Sequence, residues 1–453
     1  MPRTKSAPAS LAATAPSPSP SPTVSLVAAV LGFGLIMLDG SVVNVALPPI
    51  GAALGGGMTG LQWVVDAYTL AFAALLLSTG ALTDRIGAGR AYGIGIALFT
   101  AASVACGLAP SLPVLIGARI AQGVAASIVL PTTLALVRQA YADPARRTRA
   151  VSLWAAGGMV AAALGPVAGG ALTSVLDWRA IFFINLPLGL AALALGARVP
   201  RSPRRPAPLD LPGQAAAAVG LTALVLAVIE RGTTGWIAGG VAVVALGAFV
   251  RIERRQAHPV VPFGLFRDRT VAVAVAAGSA ISVVFYGSLF VFSLYFQQEL
   301  DLSPLATGLV FLPMTGLLSV VNVLSSKVAN RYGPRVPMLV GQSVSVAGLL
   351  LVLAVGVDPG VPPLVTSLLL VPMSLGCGFA LPPLTAAMME AVPAERAGIA
   401  AGVLNAARQV SGALGIAVFG ALGAGASGIR GSLLIGVVLL AGTLTATFTL
   451  RRA

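Results

Sequence analysis

Apolar stretches close to the thickness of a bilayer recur along the whole chain, and no other feature limits its fold as strongly. A hydrocarbon core is about 30 Å thick, so a spanning helix needs about 20 predominantly apolar residues. Stretches near that length fall at about 24–48, 61–82, 91–109, 112–137, 150–173, 180–197 and 212–230. They continue at about 235–251, 270–296, 304–326, 336–356, 362–388, 397–423 and 431–450, which makes fourteen expected spans. Composition agrees: 9% of the 453 residues are charged and 57% are hydrophobic, whereas soluble domains carry about 25% charged residues. The 53 glycines suit close helix packing in lipid better than loops. The expected fold class is an all-α polytopic membrane protein.

The net charge of +14 is topological rather than a nucleic-acid footprint. With the N-terminus inside, 23 of the 28 Lys and Arg fall on the inner side, three on the outer side and two within spans. Cytoplasmic loops of membrane proteins carry such an excess, so both termini are expected in the cytoplasm of a cell whose inner membrane the chain crosses. A wrong helix count would scramble this alternation. Trp63, Trp178 and Trp236 fall near outer helix ends and suit an interfacial aromatic belt.

The chain divides into a Ser/Pro/Ala tail at 1–22, expected to be disordered, six spans at 23–200, a linker with two extra spans at 201–255, and six more at 256–453. A signal peptide is the alternative for the tail, but the apolar run from Val24 is too long for one. The halves repeat: ALGPVAGGAL at 163–172 matches ALGIAVFGAL at 413–422 in six of ten positions, and Asp84-Arg85-Ile86-Gly87 has a weaker echo in Asn330-Arg331-Tyr332-Gly333. Parallel repeats of a six-helix half place the substrate site between the halves.

Charges within spans are costly and mark function. Asp39 lies in the first span and Arg119 in the fourth, at similar depth, so they are positioned to pair or to share a proton-linked network. A static pair that fixes packing is the plainer reading. Asp66 contacts a cationic substrate or sits in the outer vestibule. Arg408, mid-span in the thirteenth helix, lines the cavity or anchors backbone carbonyls. Asn44, Gln122 and Asn405 complete the polar candidates for the cavity. On the inner face, GALTDRIGAGR (80–90) reads as a loop in which Asp84 caps the next helix, Gly87 permits the turn and Arg85 and Arg90 reach carboxylates or lipid phosphates. Gly80, Asp84, Arg85, Gly87 and Arg90 together read as a gating latch or an ordinary basic turn. Pro166, beside Gly165, Gly169 and Gly170, is expected to kink the fifth helix. Cys106 and Cys377 form no redox or metal spacing, the sole histidine, His258, sits in a loop, and no phosphate-binding loop is present. No cofactor, metal site or catalytic cluster is implied, which argues against a membrane-embedded enzyme.

Together these segments resemble the major facilitator superfamily, and within it the fourteen-helix drug:proton antiporter branch, from about Val24 to Leu450. GALTDRIGAGR resembles the family's loop between helices two and three. ARIAQG (118–123) resembles the fourth-helix motif with a proton-linked arginine, and ALGPVAGG the fifth-helix motif of exporters. LDGSVVNVALP (38–48), DWRAIFFINLPLG (177–189), HPVVPFGLFRDR (258–269) and GVLNAARQVSGALG (402–415) resemble the branch. Two departures thin the expected charge latch: Ala88 and Gly89 precede Arg90, and Asn330 stands where the second copy would carry an acid. The resemblance implies two six-helix bundles plus an inserted helix pair, alternating access, and proton-driven export of small amphipathic drugs or antibiotics by a monomer. Its partners are then the substrate, protons and the lipid bilayer. A proton-linked nutrient importer is the rival, and the Gly165–Gly170 segment argues against it.

Overall fold

The computed structural model describes residues 22–199, 210–230, 232–256, 259, 261–358, 360–393, 396–423 and 425–450. The expected tail at 1–21 and His258 lie outside these residues; Pro22 already belongs to the first helix.

The first seven helices are α1 (Pro22–Leu54), α2 (Gly57–Ile86), α3 (Ala88–Gly107), α4 (Leu112–Ala140), α5 (Pro144–Val175), α6 (Ala180–Phe183) and α7 (Asn185–Gly196). A hairpin of α8 (Leu211–Ile229) and α9 (Thr233–Arg255) follows. The remainder is α10 (Arg269–Gln298), α11 (Pro304–Gly316), α12 (Leu318–Tyr332), α13 (Arg335–Val355), α14 (Pro363–Glu390), α15 (Ala397–Leu422) and α16 (Ala426–Phe448). Among the described residues, twelve helical stretches are long and apolar enough to cross a membrane, with α11 and α12 counted as one. The apolar pair α6–α7 is shorter than that threshold.

Several expected boundaries are corrected. The sixth stretch is interrupted at Ile184 although its backbone stays helical; Pro187 has no N–H to donate to Phe183. The stretch at 304–326 breaks at Leu317, beyond Pro313, and its second part runs to Tyr332. The expected loop at 80–90 is almost wholly helical. Only Gly87 separates α2 from α3, at φ 88°, a conformation that costs glycine little. Asp84 therefore sits in the last turn of α2 and does not cap α3, whose N-cap is Gly87 without a side-chain bond. Helix α5 runs unbroken across Pro166. The aromatic belt is corrected at Trp178. Trp178 is buried edge-on against Phe182, Trp63 packs beside the α2–α8–α15 cluster, and Trp236 alone of the three is exposed.

Packing repeats between two sets of helices. In the first, α1 packs on α5, and α4 packs on both α2 and α3. In the second, α10 packs on α15, and α14 packs on both α12 and α13. The repeated segments 163–172 and 413–422 lie on α5 and α15, each against the first helix of its set. The sets meet where α2 lies on α15 and α5 on α11. The hairpin touches both sets through α8, whose Val225 and Ile229 pack with Leu70 of α2 and Ala413 and Ala417 of α15. Asp210 caps α8 by accepting from the Gly213 amide at 2.8 Å. Burial pushes its carboxyl up, but hydrogen bonds with the Glu253 and Gln256 side chains and the Gly213 amide outweigh this and hold it below the usual range.

One end of the bundle carries the turns with Arg85, Arg90, Arg138, Arg146, Arg147, Arg331 and Arg335; the other carries the turns near 55–57, 108–111 and 299–303. Hydrogen bonds between the sets lie toward this second, less basic end. Gln62 Nε2 donates to the Ile416 and Ala417 carbonyls at 3.2 and 2.8 Å. Ser293 Oγ donates to the Asn44 carbonyl at 2.7 Å, Gln297 Nε2 to Val45 at 2.9 Å, and the Leu305 amide to Ser174 Oγ at 3.1 Å. The two sets are zipped at that end.

Candidate functional site: a buried ion pair beside a central cavity

Asp39 on α1 and Arg119 on α4 meet, as their matched depths predict. Arg119 Nη1 donates to Asp39 Oδ2 at 2.5 Å, and neither side chain is exposed. Two nitrogens of the guanidinium are held: Nη1 also donates to Gln122 Oε1 at 2.9 Å and Nε to the Val64 carbonyl at 3.0 Å, while Nη2 is buried without a hydrogen-bond partner. Its Cζ lies 4.3 Å from the Tyr68 ring centroid and 5.9 Å from that of Phe182. The second carboxylate oxygen, Oδ1, accepts from Gln122 Nε2 at 3.0 Å and from Asn185 Nδ2 at 2.7 Å. Ser103 Oγ accepts from the same two amides, at 2.8 and 3.2 Å, and Cys106 Sγ donates to Gln122 Oε1 at 3.1 Å. Five helices, α1 to α4 and α7, thus converge on the ion-pair cluster. Burying a charge without partners costs several kcal/mol; here three side chains donate to it.

Asn185 and Ser103 do not stand out in the sequence. Their one signal is the position of Asn185 within DWRAIFFINLPLG, two residues before Pro187. The helix is interrupted at that point, and the first residue beyond the break reaches the carboxylate.

Beside the cluster lies a small cavity of about 80 Å³ between the two sets, below the ~300–1,000 Å³ of drug-sized sites. Its walls include Met37, Tyr68, Phe72, Phe285, Tyr286 and Leu289, with Asn44, Thr69, Thr315 and Gln409 as polar points. No charged side chain lines it. Of the residues predicted for the cavity, Asn44 is in the wall, whereas Gln122 belongs to the ion-pair cluster. Asp66 is fully buried away from the lining and neither carboxylate oxygen has a hydrogen-bond partner. Arg408 lies against Gly278 of α10, where its side-chain carbons would stand 3.4 and 3.5 Å from an added Cβ. Asn405 is exposed one turn from Gln409 toward the basic end of α15.

The fifth-helix motif forms the seam itself. Gly165 and Gly169 face α1: a Cβ at Gly169 would stand 2.5 Å from the Val42 carbonyl oxygen, and one at Gly165 would overlap Ser41. Gly170 faces α11, where a Cβ would overlap the Pro304 carbonyl, and Gly308 of α11 faces Pro166 in the same way. Gly170 and Gly308 let the backbones touch across the sets, whereas Gly165 and Gly169 bring α5 close to α1 within the first set. At the basic end, Asp84, Arg85 and Arg90 are exposed, Gly80 has open space at its Cα, and the expected latch is not engaged.

The sequence pattern of the Major Facilitator Superfamily matches residues 29–416. The chain belongs to the major facilitator superfamily. It is 38% identical over 410 residues to the multidrug resistance protein Stp of Mycobacterium tuberculosis, covering 88% of this chain and 75% of that protein. Identity to the methylenomycin A resistance protein of Streptomyces coelicolor is 35% over 404 residues, covering 88% and 85%. The solved D-xylose-proton symporter aligns with a TM-score of 0.70 at 14% identity, over 93% of this chain and 97% of that one. That likeness carries the fold alone. This facilitator is a multi-pass membrane transporter with a closed seam at one end and an uncharged cavity beside a buried ion pair.

Proposed function

We propose that this facilitator exports small amphipathic drugs or antibiotics across the bacterial cytoplasmic membrane in exchange for protons. The observation that carries the reading is the fully buried Asp39–Arg119 pair next to a cavity between the two sets with no charged wall. Relatives named for multidrug and methylenomycin A resistance support the substrate class. The chargeless lining favours compounds without net charge, because an ionic substrate would lose its hydration without gaining a counter-charge.

In this reading fourteen spans include α6–α7 and α15. They divide into bundles at 23–200 and 256–453, with the hairpin in the 201–255 linker. The basic end and both termini are cytoplasmic. The zipped end then faces out, and the described conformation is the one that accepts substrate from the cytoplasm. Proton binding to Asp39 frees Arg119 to lean on Gln122 and Tyr68. Loss of the proton inward restores the ion pair. The seam glycines of α5 and α11 allow the outer closure to form and part, and Asp84, Arg85 and Arg90 form the opposing latch when the cytoplasmic side closes. The chain works as a monomer. The test is a susceptibility panel in an efflux-deficient bacterial host. Expression should raise the inhibitory concentration of several uncharged amphipathic antibiotics at least about fourfold, a ratio worth roughly 0.8 kcal/mol of maintained gradient. Unchanged susceptibility across the panel, with the protein present in the membrane, would contradict the reading.

A further inference from the structure

We propose that Tyr68 is the positioning residue through which occupancy of the central cavity reaches the Asp39–Arg119 pair. The inference rests on the proton-coupled reading above and specifies how substrate and proton communicate within it.

The cavity and the ion pair are separate. Neither Asp39, Arg119 nor Gln122 lines the cavity, so a bound substrate does not touch the proton site. The partners of Arg119 are the Val64 carbonyl, Asp39, Gln122 and the rings of Tyr68 and Phe182. Of these, Tyr68 is the one that also forms cavity wall. One part of its ring is therefore available to a ligand while the guanidinium lies 4.3 Å from the ring centroid. The hydroxyl does not fix the ring firmly: its contact with the Ile36 carbonyl is 3.5 Å, at the limit of a hydrogen bond.

A cation over an aromatic face is attracted by the ring's quadrupole, and more strongly in a desolvated site. Arg119 therefore divides its interaction between the Asp39 carboxylate and the Tyr68 ring. A substrate that packs on the ring from the cavity side tilts or shifts it, alters its hold on Arg119 and changes how firmly the carboxylate is paired. The coupling is reciprocal by thermodynamic necessity: if substrate alters proton affinity, pH alters substrate affinity to the same degree. The charged and titratable groups placed around the pair are Arg119 from α4, Cys106 from α3 and Tyr68 from α2, with Tyr286 from α10 across the cavity. On α7, the group at the carboxylate is the uncharged Asn185.

The experiment measures binding of chloramphenicol, an uncharged amphipathic probe, to the purified full chain in lipid nanodiscs. Affinity is read at about pH 5.5 and about pH 8.5 for wild type, Asp39→Asn, Tyr68→Leu, Tyr68→Met and Tyr68→Phe. Wild-type affinity should be at least about fivefold weaker at the acid pH, the lower end of the roughly 5–150-fold usual for linked sites. Asp39→Asn should abolish that difference. Tyr68→Leu and Tyr68→Met weaken binding, and the weakening should come with loss of the pH difference. Tyr68→Phe keeps the ring and should keep the difference. A side chain that only fills space would lower affinity or thermal stability equally at both pH values. If Tyr68→Leu and Tyr68→Met retain the wild-type pH difference, the assignment of Tyr68 is overturned and the exporter reading stands. A wild-type affinity indifferent to pH overturns the proton-coupled reading and this inference with it.

Discussion

At the scale of single residues, Asp39 and Arg119 are the most exacting positions in the molecule. Asp39→Asn preserves shape and one oxygen for Gln122 or Asn185 but removes the titrating group. Gradient-driven efflux should fall at least about tenfold, equivalent to ~1.4 kcal/mol of lost driving interaction, while surface expression persists. Arg119→Ala removes the cation paired with Asp39, so the pH profile of transport should differ from that of wild type. Efflux against pH from reconstituted variants checks both. A wild-type profile in Asp39→Asn would end its assignment as the coupling acid. Should the pair be merely architectural, both variants would instead be poorly folded, because breaking a buried pair costs roughly 3–5 kcal/mol. The partnership of Asp39 and Arg119 was legible from the sequence, since charges are rare inside spans and their depths agree. Asn185, Ser103 and Tyr68 were not. Uncharged polar and aromatic side chains are common in apolar helices, and only the three-dimensional packing shows which of them touch a charge.

At the scale of elements, most helices were visible as apolar stretches because hydrocarbon thickness sets their length. Interruptions were harder to foresee. The breaks at Ile184 and Leu317 sit near Pro187 and Pro313, yet Pro166 lies inside an unbroken α5. A proline signal alone does not separate these outcomes; neighbouring helices decide whether the freed carbonyl is accommodated. The 80–90 segment reads as a loop because of its charges and glycines, but one positive-φ glycine suffices to turn the chain. The α5–α11 seam gives a direct mechanical prediction. Ser174 and Leu305 face each other across it, with the Leu305 amide 3.1 Å from Ser174 Oγ. The double variant Ser174→Cys/Leu305→Cys should form a disulfide that holds the seam shut. Oxidation should then reduce transport at least about tenfold and a thiol reductant should restore it, as expected where a bridge fixes one of two states. Full transport with the bridge formed would mean that this seam does not open.

At the scale of the whole molecule, the internal repeat, the charge bias and the packing plan agree. Segments 163–172 and 413–422 occupy equivalent helices, and the two sets meet through α2–α15 and α5–α11 with the hairpin's α8 lying on both sides of the first contact. In the proposed function, the direction of transport follows from which end faces the cytoplasm, and its energy source from the protonation of one buried carboxylate. The most direct measurement is proton movement in proteoliposomes that hold purified protein and an internal pH dye, without ATP. With an outward-acidic gradient relative to the cytoplasmic face, chloramphenicol supplied on that face should leave and protons should enter together. Both fluxes should vanish on adding a protonophore or in Asp39→Asn. Chloramphenicol export that continues unchanged after the gradient is collapsed would contradict the account.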